Sequence, residues 1–135
     1  MSSAFLAQTI SHLKIAQMNI SIRQFANAAV VDVDGDITLH NSPEVRKVLL
    51  DLLKQQRLPR VVVNLEKAKY IDSAGVASLV EALKASREMK SGFALYGLSR
   101  TAREVLELTR LVKVFEIYDS EQEAVGGIHN GTPAN

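Results

Sequence analysis

Arg60-Val61-Val62-Val63-Asn64-Leu65 is an apolar, β-branched run of strand length, and Tyr70-Ile71-Asp72-Ser73-Ala74-Gly75 follows it across a short polar link. A run of this kind has both faces buried in a sheet. Asp72 and Ser73 are N-cap residue types, and they stand just before Val76, Leu79, Val80 and Leu83, whose i, i+3, i+4, i+7 spacing makes one helical stripe packed to that sheet. A buried strand thus hands over to a helix at an aspartate and a serine. Ser73, Ser78, Glu81 and Ala85 fall off the stripe and are expected to meet water or a partner. The plain reading of Asp72 and Ser73 is a helix cap, a role worth about 1 kcal/mol. A hydrolase nucleophile elbow, Gly-x-Ser-x-Gly, is excluded, because it needs glycine where Ile71 stands and finds it only at Gly75.

Moving outward toward the N-terminus, Leu58-Pro59 stops a helix that starts at Ser42-Pro43-Glu44, with Ser42 as cap, proline in the first turn and an acid near the positive helix end. Val45, Val48, Leu49, Leu52 and Leu53 form its buried stripe, and the helix is expected to reach about Gln56. Before it, residues 19–25 alternate strictly and residues 29–34 form a second run, which predicts an antiparallel hairpin. Residues 5–17 carry Leu6, Ile10 and Leu13 at thin helical spacing, so residues 1–17 read as an arm or loosely docked helix that leaves a homodimer contact open. Asp32, Asp34 and Asp36 match three ligand positions of a calcium loop, but Ile37 and Pro43 stand where glycine and a bidentate glutamate are required, so a strand end and turn is the reading.

Toward the C-terminus, residues 93–98 predict a buried strand, Ser99 caps a helix with Ala102, Val105, Leu106 and Thr109 inward, and Val114-Phe115-Glu116-Ile117-Tyr118 predicts a last strand. Ser120-Glu121-Gln122-Glu123 is a capping box opening a short helix that Gly126-Gly127 ends. Residues 126–135 then read as a flexible tail. The fold class is therefore α/β: a mixed sheet with an antiparallel N-terminal hairpin strand and βα alternation, in one domain over residues 18–125.

Composition narrows the function. Sixteen basic against fifteen acidic residues give a net charge of +1, too little for an electrostatic nucleic-acid binder, and no apolar run approaches the ~20 residues of a membrane span. The chain has no cysteine, which removes disulfides, thiolate catalysis and thiolate metal sites and fits a reducing, cytoplasmic address. His12, His40 and His129 are dispersed without ligand spacing, and phosphate-loop and dinucleotide fingerprints are missing. Neither an enzyme activity nor a cofactor is expected.

Three stretches carry a family resemblance: Val33-Asp34-Gly35-Asp36-Ile37 before the Ser42-Pro43 helix, Val61 to Leu65 running into residues 70–75, and Leu98-Ser99 through Val105-Leu106-Glu107-Leu108-Thr109 to Val114-Phe115. They resemble a STAS domain, and within that family the stand-alone bacterial anti-sigma factor antagonists. The resemblance implies partner switching in signal transduction and transcription regulation. In such proteins the serine matching Ser73 is phosphorylated by a kinase that is also an anti-sigma factor, a serine phosphatase reverses this, and the dephosphorylated protein binds the kinase and releases the sigma factor. Asp72, Ala74 and Gly75 match that serine's setting, and with Ser78 and Thr38 they make up the expected partner-binding surface. Many members carry an acid after the Gly-x-Ile/Leu turn, where this chain has Thr38, so a partner contact through that acid is not expected here. The competing reading is a non-catalytic STAS docking subunit of a membrane transport or signalling scaffold, with Ser73 merely a cap.

Overall fold

In the computed structural model the described residues are 12–15 and 18–127. The strands are β1 (His12–Ile15), β2 (Met18–Gln24), β3 (Ala29–Asp34), β4 (Arg60–Lys67), β5 (Gly92–Tyr96) and β6 (Glu116–Tyr118). The helices are α1 (Ser42–Leu50), continued by a wider π-helical stretch over Asp51–Gln55, then α2 (Ser73–Glu88), α3 (Arg100–Leu108) and α4 (Glu121–Gly126). All six strands join one sheet in the order β1-β2-β3-β4-β5-β6. β1, β2 and β3 are antiparallel neighbours, whereas β3 to β6 run parallel, each reached through a helical crossover or, for β6, through α3 and a turn.

The predicted hairpin, the α/β alternation and the mixed sheet are all present. Two expectations change. His12–Ile15, read as part of an arm or helix, is instead the edge strand β1, paired with β2 from His12↔Ser21 to Ile15↔Met18. Leu13 and Ile15 alternate with polar neighbours at a period of two, and that short signal was outweighed by the helical spacing with Leu6 and Ile10. The ordered sheet therefore begins at least by His12, ahead of residue 18, while residues 1–11 and the 128–135 part of the expected tail lie outside the described residues. The last strand is also shorter than expected, since Val114 and Phe115 lie in the turn before β6.

Alternation along the central strands sorts the core into two layers. Val31, Val33, Val61, Val63, Leu65, Phe93 and Leu95 face α1, α2 and α3, where Leu49, Leu53, Leu79, Leu83 and Leu106 meet them. Val30, Val62, Ala94, Tyr96 and Tyr118 point the other way into a smaller cluster closed by Ala124 of α4. At six residues α4 is too short to hold itself together, so tertiary contacts must do it. Ser120 caps it by accepting from the Glu123 N–H at 3.2 Å. Arg23 of β2 donates to both Glu121 carboxylate oxygens, at 2.6 and 3.1 Å, and to both Asp32 oxygens, at 2.9 and 2.6 Å. The Tyr96 hydroxyl donates to Glu121 at 2.7 Å, and Arg60 donates to the Ala124 carbonyl at 2.8 Å.

The start of α2 lies close against the loop that follows β3. Gly75 is buried, and a Cβ there would stand 2.7 Å from the Ile37 carbonyl oxygen, 2.7 Å from Ile71 Cγ2 and 2.9 Å from Ile37 Cγ2. Gly75→Ala should therefore lower unfolding free energy by about 1–3 kcal/mol, and a larger residue by more. Urea denaturation checks this.

The Arg23 ion pair, with the Tyr96 hydrogen bond, holds the Glu121 carboxyl below its ordinary value, against a smaller opposing effect of burial. A depressed folded value stabilises the native state above the ordinary glutamate range and ceases to do so as pH falls through the folded value. The Glu121 side chain is 35% exposed, so the effect should stay below about 1 kcal/mol. Wild type should exceed Glu121→Gln in stability at neutral pH, and the gap should close in strong acid, as read by denaturation at both pH values.

Candidate functional site

Two loops meet where β3 and β4 end. β3 shifts register between Asp32 and Asp34, and Gly35 turns the chain with φ 128°, a conformation that a side chain would strain. The Gly35 N–H donates to the Lys67 carbonyl at 2.9 Å, the Ile37 N–H to the Tyr70 carbonyl at 3.0 Å, and the Asp72 N–H to the Ile37 carbonyl at 3.1 Å. Ile37 and Ile71 thus make an isolated parallel bridge that prolongs the β3–β4 ladder beyond the strands. Side chains brace the same junction: Asp36 Oδ1 accepts from the Tyr70 N–H at 3.2 Å, and the Ser99 hydroxyl at the start of α3 donates to the Lys69 carbonyl at 2.7 Å.

Asp72 is the N-cap of α2. Its Oδ1 accepts from the Gly75 N–H at 2.9 Å and its Oδ2 from the Leu39 N–H at 2.9 Å, so one carboxylate ties the helix start to the neighbouring turn. Ser73 is the first helical residue, exposed, and its hydroxyl has no hydrogen-bond partner among the described residues. The first turn of α2 contains no acidic side chain. A negative group added at Ser73 would meet the positive end of the helix dipole with only Asp72 as a rival.

The remaining expected site residues divide. Ala74 is half-buried beside Ser73, and Thr38 is half-buried in the turn, where its N–H donates to Asn41 Oδ1 at 2.8 Å. Gly75 and Ser78, expected on a partner-facing surface, are buried; Ser78 is 4% exposed and its hydroxyl donates to the Gly75 carbonyl at 2.6 Å. Ala85, read as off the stripe, is also buried. α2 is clasped by both the sheet and α1, which widens its buried arc, and a serine that satisfies itself on the preceding turn can lie within it. Asn41, not Ser42, occupies the N-cap position of α1, but its amide serves the turn instead, donating to the Asp36 carbonyl at 3.0 Å.

Residues 36, 39, 41 and 70 also build this junction, and the sequence does not single them out. Asp36 and Asn41 are turn-forming types in a turn, a usable signal. Leu39, 68% exposed, and Tyr70, 45% exposed, follow no periodic pattern and were visible only as apolar residues inside polar loops. Below Ser73, a groove of ≈ 340 Å³ runs between α1 and α2, lined by Pro43, Arg46, Ala74, Ala77 and Glu81 among others. Asp32 and Asp36, considered as calcium ligands, are instead spent on Arg23 and on the Tyr70 amide.

The STAS domain family matches residues 19–124. The chain belongs to the STAS domain family. Among characterised relatives, the anti-sigma-B factor antagonist of Staphylococcus aureus is 27% identical over 92 residues, which span 68% of this chain and 84% of that protein. The anti-sigma F factor antagonist of Paenibacillus polymyxa is 20% identical over 108 residues, 80% of this chain and 92% of that one. The anti-sigma factor antagonist SpoIIAA in its unphosphorylated form has the same fold, with a TM-score of 0.69 at 19% identity over 82% of this chain and 99% of that one. SpoIIAA of Bacillus has also been solved in a phosphorylated form, with a TM-score of 0.63 at 18% identity over 79% and 96% of the two chains. The relatives are named for what they antagonise and not for a reaction.

Because Asp72 does the capping, the two neighbours should differ sharply in what they contribute to the STAS fold. Asp72→Ala should cost about 1–2 kcal/mol, whereas Ser73→Ala should stay within about 0.5 kcal/mol of wild type. Thermal denaturation of both variants makes the comparison.

Proposed function

We propose that this STAS domain is an anti-sigma factor antagonist controlled by phosphorylation of Ser73. Unphosphorylated, it binds an anti-sigma factor that is also a serine kinase and so frees a sigma factor; a serine phosphatase restores the binding form. The observation that carries the reading is the Ser73 hydroxyl itself: exposed, without a partner among the described residues, and relieved of capping by Asp72. A serine kept only as a cap, as in the docking-subunit reading, would be expected to use its oxygen on an orphan N–H. The action is binding, not catalysis. No described helix is long and apolar enough to cross a membrane, and we place the exchange in the cytoplasm.

The physics suits a switch at an interface. A phosphate adds about −1.5 to −2 charges and three acceptor oxygens. At the first residue of α2 the helix dipole favours that charge by about 0.3–1 kcal/mol, so the domain stays folded. A partner closing over Ser73 would instead have to desolvate it, and an unpaired buried charge costs several kcal/mol. Binding is lost while the fold is kept.

Incubating wild type and Ser73→Ala with the cognate kinase and ATP, followed by intact-mass and complex measurements, tests both halves. Wild type should gain one phosphate and leave the complex; Ser73→Ala should gain none and remain bound. Ser73→Asp, with one charge in place of nearly two, should bind more weakly than wild type. A phosphate on another residue, or an aspartate variant that binds as well as wild type, would leave the docking-subunit reading in its place.

A further inference from the structure

Leu39 is 68% exposed, yet the turn that carries it is held at every residue. The Thr38 N–H is bound by Asn41 Oδ1, the Leu39 N–H by Asp72 Oδ2, and the Asn41 and Ser42 N–H groups both donate to the Thr38 carbonyl, at 3.0 and 2.7 Å. Exposure alone says little, since Leu108 on α3 is 83% exposed. What sets Leu39 apart is that its backbone is tied to the residue next to Ser73. An apolar side chain displayed by an ordered turn contributes little to the fold, but it can enter a partner's pocket with little ordering cost.

We infer that Leu39 is an apolar anchor for the partner that reads Ser73, and that Asp72 couples the anchor to the phosphorylation state of that serine. This rests on the reading of Ser73 as the switch. The occupant is the kinase, which would offer an apolar pocket to Leu39 beside its contact with the serine. Tyr70, 45% exposed, stands on the adjoining loop, its carbonyl bound by the Ile37 N–H. Thr38 to Ser42, the stretch around Leu39, contains no acidic side chain.

The coupling follows from the two oxygens of Asp72. One holds the Gly75 N–H in the first turn of α2 and the other holds the Leu39 N–H. A phosphate on the adjacent residue repels that carboxylate and competes for the same helix-start N–H donors. The carboxylate then loosens its hold on Leu39, and the anchor loses its fixed position as the surface becomes charged. Phosphorylation thereby weakens two contacts in place of one.

Two measurements on the full chain test this. With the kinase that modifies Ser73, Leu39→Ala should weaken binding about tenfold or more, whereas Leu108→Ala should leave it unchanged. Asp72→Asn keeps only one acceptor oxygen, and its loss should be less than additive with that of Leu39→Ala. Independently of any partner, hydrogen exchange of the Leu39 amide should speed up in a chain carrying phosphoserine at position 73, and likewise in Asp72→Asn. If Leu39→Ala binds like wild type while the phosphoserine chain does not bind, the anchor is refuted and the switch stands. If the phosphoserine chain binds like wild type, the switch and the anchor's coupling fall together. An unchanged Leu39 exchange rate in the phosphoserine chain refutes the coupling whichever kinase is used.

Discussion

The missing side chain at Gly75 is the constraint on which the site depends. With no Cβ in the way, the first turn of α2 lies directly on the Ile37 carbonyl and the Ile71 side chain, closing the gap between the helix and the ends of β3 and β4. Across that contact the Asp72 carboxylate accepts from both the Gly75 N–H and the Leu39 N–H of the neighbouring loop. The cap is thereby filled from the residue before the helix, and Ser73 is turned outward with its hydroxyl unspent.

If Ser73 is phosphorylated as proposed, its place at the first residue of a helix separates two effects that elsewhere would be confounded. In a helix interior or at a C-terminus, a phosphate would act on the fold through the dipole and through lost packing. Here the local field favours an anion, and Ser73 is exposed with no hydrogen-bond partner for its hydroxyl among the described residues. The energetic consequence is carried almost wholly by whatever covers the serine, where the desolvation cost exceeds the dipole's gain several-fold. The same placement leaves the unmodified helix start complete, because Asp72 and not Ser73 supplies its cap.

Much of this was legible in the sequence, because the informative residues are also the locally decisive ones. The β-branched run of β4, the Asp72-Ser73 pair and the Ser120 capping box each specify their own geometry, and each stands where it was expected. Gly75 and Ser78 were misplaced because burial of α2 is settled by two neighbours at once. A stripe drawn from large apolar residues omits the small ones that α1 and the sheet close over, Gly75, Ser78, Ala82, Ala85 and Ser86. Ser86 meets the same condition as Ser78, donating to the Leu83 carbonyl at 2.7 Å, which is how a hydroxyl is accommodated in that arc. β1 was missed for a different reason: four residues of alternation are too few to compete with a longer helical pattern, and an edge strand is stabilised by its neighbour's ladder more than by its own residues. Leu39 could not be placed at all, since exposure of a turn residue depends on contacts between loops far apart in sequence.

The opposite face of the sheet explains why a change at Ser73 can remain local. α4 closes the smaller core through Ala124 and is held by Arg23, Arg60 and Tyr96, all on strands and all reaching away from α1 and α2. Arg23 is divided there between Asp32 and Glu121, and Asn64 Nδ2 donates to the same Asp32 at 2.8 Å. That network shares no residue with the Asp72 junction. The two are separated by a packed sheet whose central residues, Val31, Val63 and Leu95, are fully buried, so perturbations on the two faces should add without coupling. A phosphate on Ser73 therefore has the Leu39 turn and the first turn of α2 to act upon, while the sheet and α4 stay as they are. On the proposed reading, the part of the domain that a phosphate would act upon is one serine and the loop tied beside it.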